Sequence, residues 1–135
     1  MRLPQPGEEI PQLQKEPVGK LQLLHYAGAS GDDNLIHTDV ETARAVGLPG
    51  VIAHGMLSMG FIGQLVSDYA GPGAVRRLQV RFARMVGLGD RLTCRGVVLR
   101  AEPGEGGASV ELRVWAENQA GERVTEGEAE VWLEG

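Results

Sequence analysis

VIAHGMLSMGFIGQLVSDY, residues 51–69, contains no charged residue before Asp68. Its larger apolar side chains occupy nearly every side of a helix, and a helix of that kind is normally buried inside a structure. Four small residues would let a sheet wrap closely around it: Gly55, Ser58, Gly60 and Gly63. The segment 71–73, Gly-Pro-Gly, is a natural end for this helix. The sequence therefore predicts a long central helix in the core.

After this helix the sequence changes from helical to alternating periodicity. Four segments rich in Val and Leu are predicted strands: 75–82, 90–102, 109–118 and 122–133. Short, turn-like connections join them, and consecutive strands joined in this way pair antiparallel. Alternation is strict within 110–117, so one face of that strand should meet a core and the other should meet water. An edge strand at 10–13 brings the expected sheet to about five strands.

Between the edge strand and the central helix, the sequence predicts two further helices. Apolar residues at helical spacing predict a helix over 18–29 that ends at Gly28 or soon after. The run 38–41, Thr-Asp-Val-Glu, predicts a capping box in which the hydroxyl of Thr38 and the carboxylate of Glu41 each bond the other residue's N–H. A short helix should follow to Val46, and Gly47 is a natural left-handed stop.

The length of 135 residues and the lack of an internal repeat indicate a single domain, residues 1–135. We expect an α+β fold in which one long buried central helix is wrapped by a curved antiparallel sheet of about five strands. That arrangement is the hotdog fold. Such a sheet has an open edge, and open edges are commonly closed by a partner. We therefore expect a dimer whose two sheets join side by side.

Composition excludes several partners. The net charge of −5 and the lack of a long basic run argue against binding to nucleic acid. A single cysteine, Cys94, rules out an internal disulfide and fits a cytoplasmic location. The first ten residues lack the pattern of a signal peptide. The most apolar stretch, 48–70, is interrupted by Pro49, His54 and several glycines, so no contact with a membrane is expected.

The segment 29–39, ASGDDNLIHTD, contains the candidate acid–base pair, Asp32 and His37. Five positions apart in an irregular loop, the two side chains can converge on one face. Asp32 is also compatible with a simple Asx-turn, and His37 with a residue that precedes a helix and has no chemical role. We interpret His54 as structural. No metal site is expected, because the acids and histidines of this region lack the spacings typical of metal ligands.

Two motifs resemble one family. The run 26–37, YAGASGDDNLIH, followed by 51–56, VIAHGM, is similar to the MaoC-like (R)-specific enoyl-CoA hydratases and 3-hydroxyacyl-thioester dehydratases. The family pattern is an aromatic residue, Ser-Gly-Asp-any-Asn-Pro-aliphatic-His, and then a helix start with His-Gly-Met. The resemblance covers the chain from about residue 18 to its end. Leu35 and Leu88 depart from it, since each stands where the family commonly has proline.

The resemblance implies a lyase that interconverts trans-2-enoyl and (R)-3-hydroxyacyl thioesters of coenzyme A or acyl carrier protein, in fatty acid metabolism and without a cofactor. Asp32 and His37 would hold the water and share the proton transfers. Gly55, at the helix start, would donate its N–H to the thioester carbonyl. Asn34 would orient the pair or bond nearby backbone. The supporting positions are Ser30, Gly31 and His54.

Other assignments are compatible with the same sequence. A hotdog thioesterase would need a carboxylate aimed at the thioester carbon. The chain would otherwise be one subunit of a heterodimer, either as a wall for a catalytic sister subunit or as its catalytic half. The presence of both Asp32 and His37 argues against a purely passive role. We expect a homodimer or higher homo-oligomer.

Overall fold

The structure is a computed structural model and describes residues 2–135. In chain order its elements are β1 Glu9–Gln14, α1 Lys20–Ser30, a 3₁₀ helix Leu35–His37, α2 Val40–Ala45, α3 Gly55–Ala70, β2 Val75–Phe82, β3 Thr93–Gly104, β4 Gly107–Glu117 and β5 Arg123–Glu134. These elements match the predicted order, including the edge strand near the start of the chain.

The five strands form one antiparallel sheet in the order β1-β3-β4-β5-β2. Helix α3 contacts all five strands. Five flat strands would span about 19 Å, roughly twice the width of a helix, so the sheet must curve for every strand to touch α3. The predicted α+β architecture is therefore confirmed. β1 and β2 are the two edges of this sheet.

β4 shows why the sheet forms. Its side chains alternate, and the inward set is completely buried: Ala108, Val110, Leu112, Val114 and Ala116. The outward-facing side chains are polar except for that of Trp115. The guanidinium carbon of Arg123 lies over the ring of Trp115, 4.1 Å from the ring centroid. Next to β4, Cys94 of β3 is buried, and burial raises the pKa of its thiol to about 12. The cysteine is thus an apolar filler of the core and not a nucleophile.

Helix α3 is buried on one side. The side facing the sheet presents Leu57, Ser58, Phe61, Ile62, Leu65 and Val66. On the other side Met56 is 55% exposed, and a Cβ added at Gly60 would meet nothing within 4 Å. The prediction of burial on every side is wrong for this chain, because the sheet covers only the inner face of α3. Within residues 2–135, no helix is long and apolar enough to cross a membrane.

Helix α1 ends at Ser30, soon after Gly28 as predicted. Gly28 lies inside the helix, and Gly31 is the cap, with a φ of +79° and its N–H donated to the carbonyl of Ala27. Gly31 is thus the residue that needs the left-handed conformation. The last helical residue, Ser30, lies two residues beyond Gly28, and the cap begins the segment that contains Asp32.

The prediction of a capping box at the start of α2 is wrong. Thr38 ends the 3₁₀ helix and donates its N–H to the carbonyl of Leu35, so this N–H is not left for the carboxylate of Glu41. Asp39 is the N-cap instead, and its carboxylate accepts a hydrogen bond from the hydroxyl of Thr42. This hydroxyl lowers the pKa of Asp39. Gly47 has a φ of +92° and follows the end of α2, as predicted.

Candidate active site

The structure brings Asp32 and His37 together. Oδ2 of Asp32 lies 3.8 Å from Nε2 of His37. The two side chains differ in environment: that of Asp32 is 53% exposed, whereas that of His37 is 9% exposed. An exposed carboxylate and a buried imidazole this close together can act on one molecule bound beside them.

His37 is oriented by a backbone carbonyl. Its Nδ1 lies 2.7 Å from the carbonyl oxygen of Ile52. A carbonyl only accepts hydrogen bonds, so Nδ1 carries the proton and, in the neutral ring, Nε2 keeps its lone pair. Ile52 is itself held, because its N–H donates to the carbonyl of Ile36 at 3.1 Å. The ring of His37 is therefore held in a defined orientation, with Nε2 on the side of Asp32.

Short local contacts shape the Asp32 loop. The N–H of Asp32 donates to Oγ of Ser30 at 3.1 Å, and the N–H of Asn34 reaches Oδ1 of Asp32 at 3.4 Å. Oδ2 of Asp32 is left to face His37. The side chain of Asn34 accepts from the N–H of Ile36 and caps the 3₁₀ helix. Asn34 thus bonds nearby backbone with its side chain, while its own N–H approaches the acid. The Asx-turn at Asp32 exists, and it coexists with the pair.

His54 packs against the pair from inside. Its Nε2 lies 3.0 Å from the carbonyl oxygen of Asp32. Its ring stacks on His37 with centroids 3.8 Å apart and an angle of 24° between the planes. On another side the ring of Tyr26 lies 4.7 Å away at 60°. The structure confirms a backbone hydrogen bond for His54, as interpreted from the sequence.

Gly55 follows His54 as the first residue of α3. A helix of this length presents unpaired N–H groups and a partial positive charge at its start. A Cβ added at Gly55 would lie 3.2 Å from the ring of Phe82, so glycine allows this ring to pack closely on the helix start. The carbonyl of Gly55 accepts a hydrogen bond from Ser58, whose hydroxyl also pairs with that of Thr125 at 2.7 Å.

Three of these side chains also form the densest set of potential metal ligands in residues 2–135. Asp32, His37 and His54 each offer one ligand atom, and these atoms lie within 4.8 Å of one another. Imidazole lone pairs lie in the ring plane, however, and the two rings here are stacked and nearly parallel. Their lone pairs therefore do not converge on one ion, as zinc coordination would require.

A cavity of about 490 Å³ reaches His37 from the side of α2. Its lining combines the charged residues Lys20, Asp39 and Arg44 with apolar residues, which are Val40, Pro49, Val51 and Leu88. Further exposed apolar side chains lie outside this lining: Leu35, Met56, Phe82 and Met85. The imidazole is thus reached on one side by a cavity with a mixed charged and apolar lining, and uncovered apolar surface lies near the start of α3.

Three contributors were missed by the sequence interpretation. The first is the carbonyl of Ile52, a backbone group that every residue type has, so the sequence does not mark it. Phe82 and Tyr26 are visible as rare aromatic residues, and Tyr26 belongs to the quoted motif, but neither was given a role. Leu35, which replaces the family's proline, is the first residue of the 3₁₀ helix. Proline and leucine are both accommodated at such a position, because its N–H has no partner within the helix.

Comparisons with known proteins agree on one family. A family model described as MaoC like domain matches residues 3–120. The (R)-specific enoyl-CoA hydratase of Rhodospirillum rubrum is 34% identical over 118 residues, which cover 86% of this chain and 80% of the relative. The 3-hydroxyacyl-thioester dehydratase X of Mycobacterium tuberculosis is 33% identical over 117 residues, which cover 79% of this chain and 39% of the relative.

A solved structure shows the same fold. The unliganded R-hydratase PhaJ1 of Pseudomonas aeruginosa superposes with a TM-score of 0.83 and 31% sequence identity, covering 97% of this chain and 83% of that one. The hotdog arrangement expected from the sequence is therefore confirmed.

Proposed function

Because the chain belongs to the MaoC-like domain family, we propose that it is a hydratase/dehydratase that interconverts trans-2-enoyl and (R)-3-hydroxyacyl thioesters of coenzyme A or acyl carrier protein. One observation carries the proposal. Nε2 of His37, the nitrogen that keeps its lone pair, lies 3.8 Å from a carboxylate oxygen of Asp32, while Nδ1 is fixed on the carbonyl of Ile52. This is the arrangement that an acid–base reaction at two adjacent carbons requires.

In the dehydration direction, Nε2 of His37 takes the proton from C2 of the substrate. The electron pair of the C2–H bond forms the C2–C3 double bond, and the C3–O bond breaks. Asp32 passes the proton from His37 to the leaving hydroxyl, which departs as water. The protein therefore ends in its starting protonation state, and hydration is the same sequence in reverse.

Removal of the C2 proton builds negative charge on the thioester oxygen. The N–H of Gly55, at the positive end of α3, is the donor that we assign to this oxygen. The loss of one such donor typically lowers kcat by about 10²–10³-fold, so the position of the helix start matters for the reaction as well as for the fold.

The test is an assay of the purified chain with crotonyl-CoA. The enoyl absorbance should fall without release of free thiol, and chiral analysis of the product should give the (R)-3-hydroxy thioester. Thiol release would instead identify a thioesterase. A chain that leaves enoyl thioesters from C4 to C16 unchanged would contradict the proposal.

We also propose that the chain works as a homodimer. Met56 and Phe82 are about half exposed beside the site, and β2 is an open sheet edge. A second copy would cover this apolar surface and close a substrate tunnel along α3. Light scattering of the purified protein should give twice the chain mass. A monomer with little activity would favour the alternative, a subunit that needs a sister hotdog chain.

A further inference from the structure

His54 is buried beside the pair and has no role in the reaction proposed above. It is 2% exposed, and its Nε2 lies 3.0 Å from the carbonyl oxygen of Asp32. Since a carbonyl only accepts, the proton of the neutral ring is on Nε2. Nδ1 then keeps a lone pair, and it has no hydrogen-bond partner among residues 2–135.

An imidazole is a costly residue at such a position. Burial of a ring nitrogen without a partner is unfavourable, and a phenyl ring would give similar stacking on His37 without that cost. The feature that distinguishes His54 from a phenylalanine is therefore its Nε2–H, and this group is directed at Asp32.

The Asp32 loop needs a contact of this kind. The other hydrogen bonds of Asp32 in the described chain go to Ser30 and Asn34, each only two residues away. Such contacts set the shape of the loop but do not fix its distance from His37. The Asp32 side chain is more than half exposed, so packing does not fix that distance either. The hydrogen bond from His54 crosses 22 positions of sequence and ties the loop to the start of α3.

We infer that His54 is a positioning residue, whose Nε2–H holds the backbone of Asp32 so that the carboxylate stays opposite Nε2 of His37. This inference rests on the proposed function. A misplacement of about 1 Å in a catalytic group can cost on the order of 10²-fold in rate. Because His54 acts through Asp32, its loss should reduce kcat while KM changes little.

Two substitutions at His54 separate the contribution of the N–H donor from that of the aromatic ring. His54→Phe keeps an aromatic ring for stacking and removes the donor, whereas His54→Gln keeps an amide N–H at similar reach and removes the ring. We expect kcat to fall about 10²-fold in His54→Phe and to stay within about tenfold of the original chain in His54→Gln. Full activity in His54→Phe would overturn the inference, and so would equal losses in the two variants.

A double variant tests whether the effect runs through Asp32. In an Asp32→Asn background the carboxylate is already absent, so adding His54→Phe should lower kcat no further. A second, independent loss of about 10²-fold would show that His54 acts by another route, and would overturn the inference.

A spectroscopic test needs neither activity nor a variant. Long-range ¹⁵N–¹H spectra of the folded chain distinguish the two tautomers of each histidine, and should show His54 protonated at Nε2 and His37 at Nδ1. A proton on Nδ1 of His54 would overturn the inference, because Nε2 would then have nothing to donate. If the chain fails to hydrate any enoyl thioester, the proposed function fails, while this spectrum still decides whether His54 holds Asp32.

Discussion

The strand β4 and the segment 31–37 are held in opposite ways. β4 pairs with β3 on one side and with β5 on the other, and every second side chain is buried. The segment 31–37 has no sheet partner. Its backbone is held by the side chains of Ser30, Asn34 and His54 and by isolated backbone hydrogen bonds, and most of its residues are exposed.

This difference separates stability from chemistry. In β4 a substitution removes buried apolar contacts, which are spread over the whole core. In 31–37 a substitution removes one polar contact that sets the position of one reacting group. Changes in β4 should therefore alter the free energy of unfolding and leave kcat unchanged. Changes in 31–37 should do the reverse.

The largest effect is expected for Asp32→Asn and His37→Gln. Each removes one proton-transfer group while keeping similar size, so kcat for crotonyl-CoA hydration should fall by about 10²–10⁴-fold. The matched control is Asp33→Asn, which neutralises the adjacent exposed acid and should leave kcat near that of the original chain. If both site variants are folded by circular dichroism and turn over at the original rate, the mechanism is wrong.

In β4 the corresponding substitution is Leu112→Ala. Leu112 is completely buried at the centre of the sheet, so its truncation should lower the free energy of unfolding by about 2–5 kcal/mol, as measured by urea denaturation. Arg113→Ala, on the outer face one residue later, should change it by about 0.5 kcal/mol or less. The kcat of folded Leu112→Ala should be unchanged. A large fall in kcat would mean that the sheet and the site are coupled.

The sequence predicts the β4 region better than the site for a physical reason. Alternation in 110–117 is a local pattern whose meaning does not depend on the rest of the chain. The central helix was located by its apolar composition. Composition does not state which side a sheet covers, so the open side at Gly60 was missed.

The site depends on competition between neighbouring residues. Thr38 and Asp39 can both cap a helix, and the outcome was decided by the 3₁₀ helix, which engages the N–H of Thr38. Gly28 and Gly31 can both end α1, and the second one does. The motif identified Asp32 and His37, but the carbonyl of Ile52 that orients the imidazole is a backbone atom, which any residue type would supply.

Gly55→Ala tests the boundary between the two regions, because Gly55 joins the site to α3. The added Cβ would lie 3.2 Å from the ring of Phe82, so the ring and the helix start must shift by a few tenths of an ångström. We expect kcat to fall about tenfold, since the N–H donor moves relative to the thioester oxygen.

Gly60→Ala is the control on the same helix. Its Cβ would meet nothing within 4 Å. The variant should keep kcat and gain about 0.5–1 kcal/mol of stability, because alanine favours a helix interior over glycine. If Gly55→Ala and Gly60→Ala have the same kcat, the helix start is not part of the chemistry.

A smaller effect than that of Leu112→Ala is expected at the polar contact inside the core, the hydroxyl pair of Ser58 and Thr125. The hydroxyl proton of Ser58 goes to the carbonyl of Gly55, and Thr125 donates to the oxygen of Ser58. Thr125→Val therefore leaves Ser58 bonded and should cost about 1 kcal/mol in the free energy of unfolding. Ser58→Ala leaves the buried hydroxyl of Thr125 without its partner and should cost about 1–2 kcal/mol. The double variant should cost less than the sum, since neither hydroxyl is then left unpaired. Urea denaturation of the original chain, the two single variants and the double variant measures the coupling energy between the two hydroxyls. Additive costs would show that the pair is not a unit, and the β5 side of α3 would then be held by apolar packing alone.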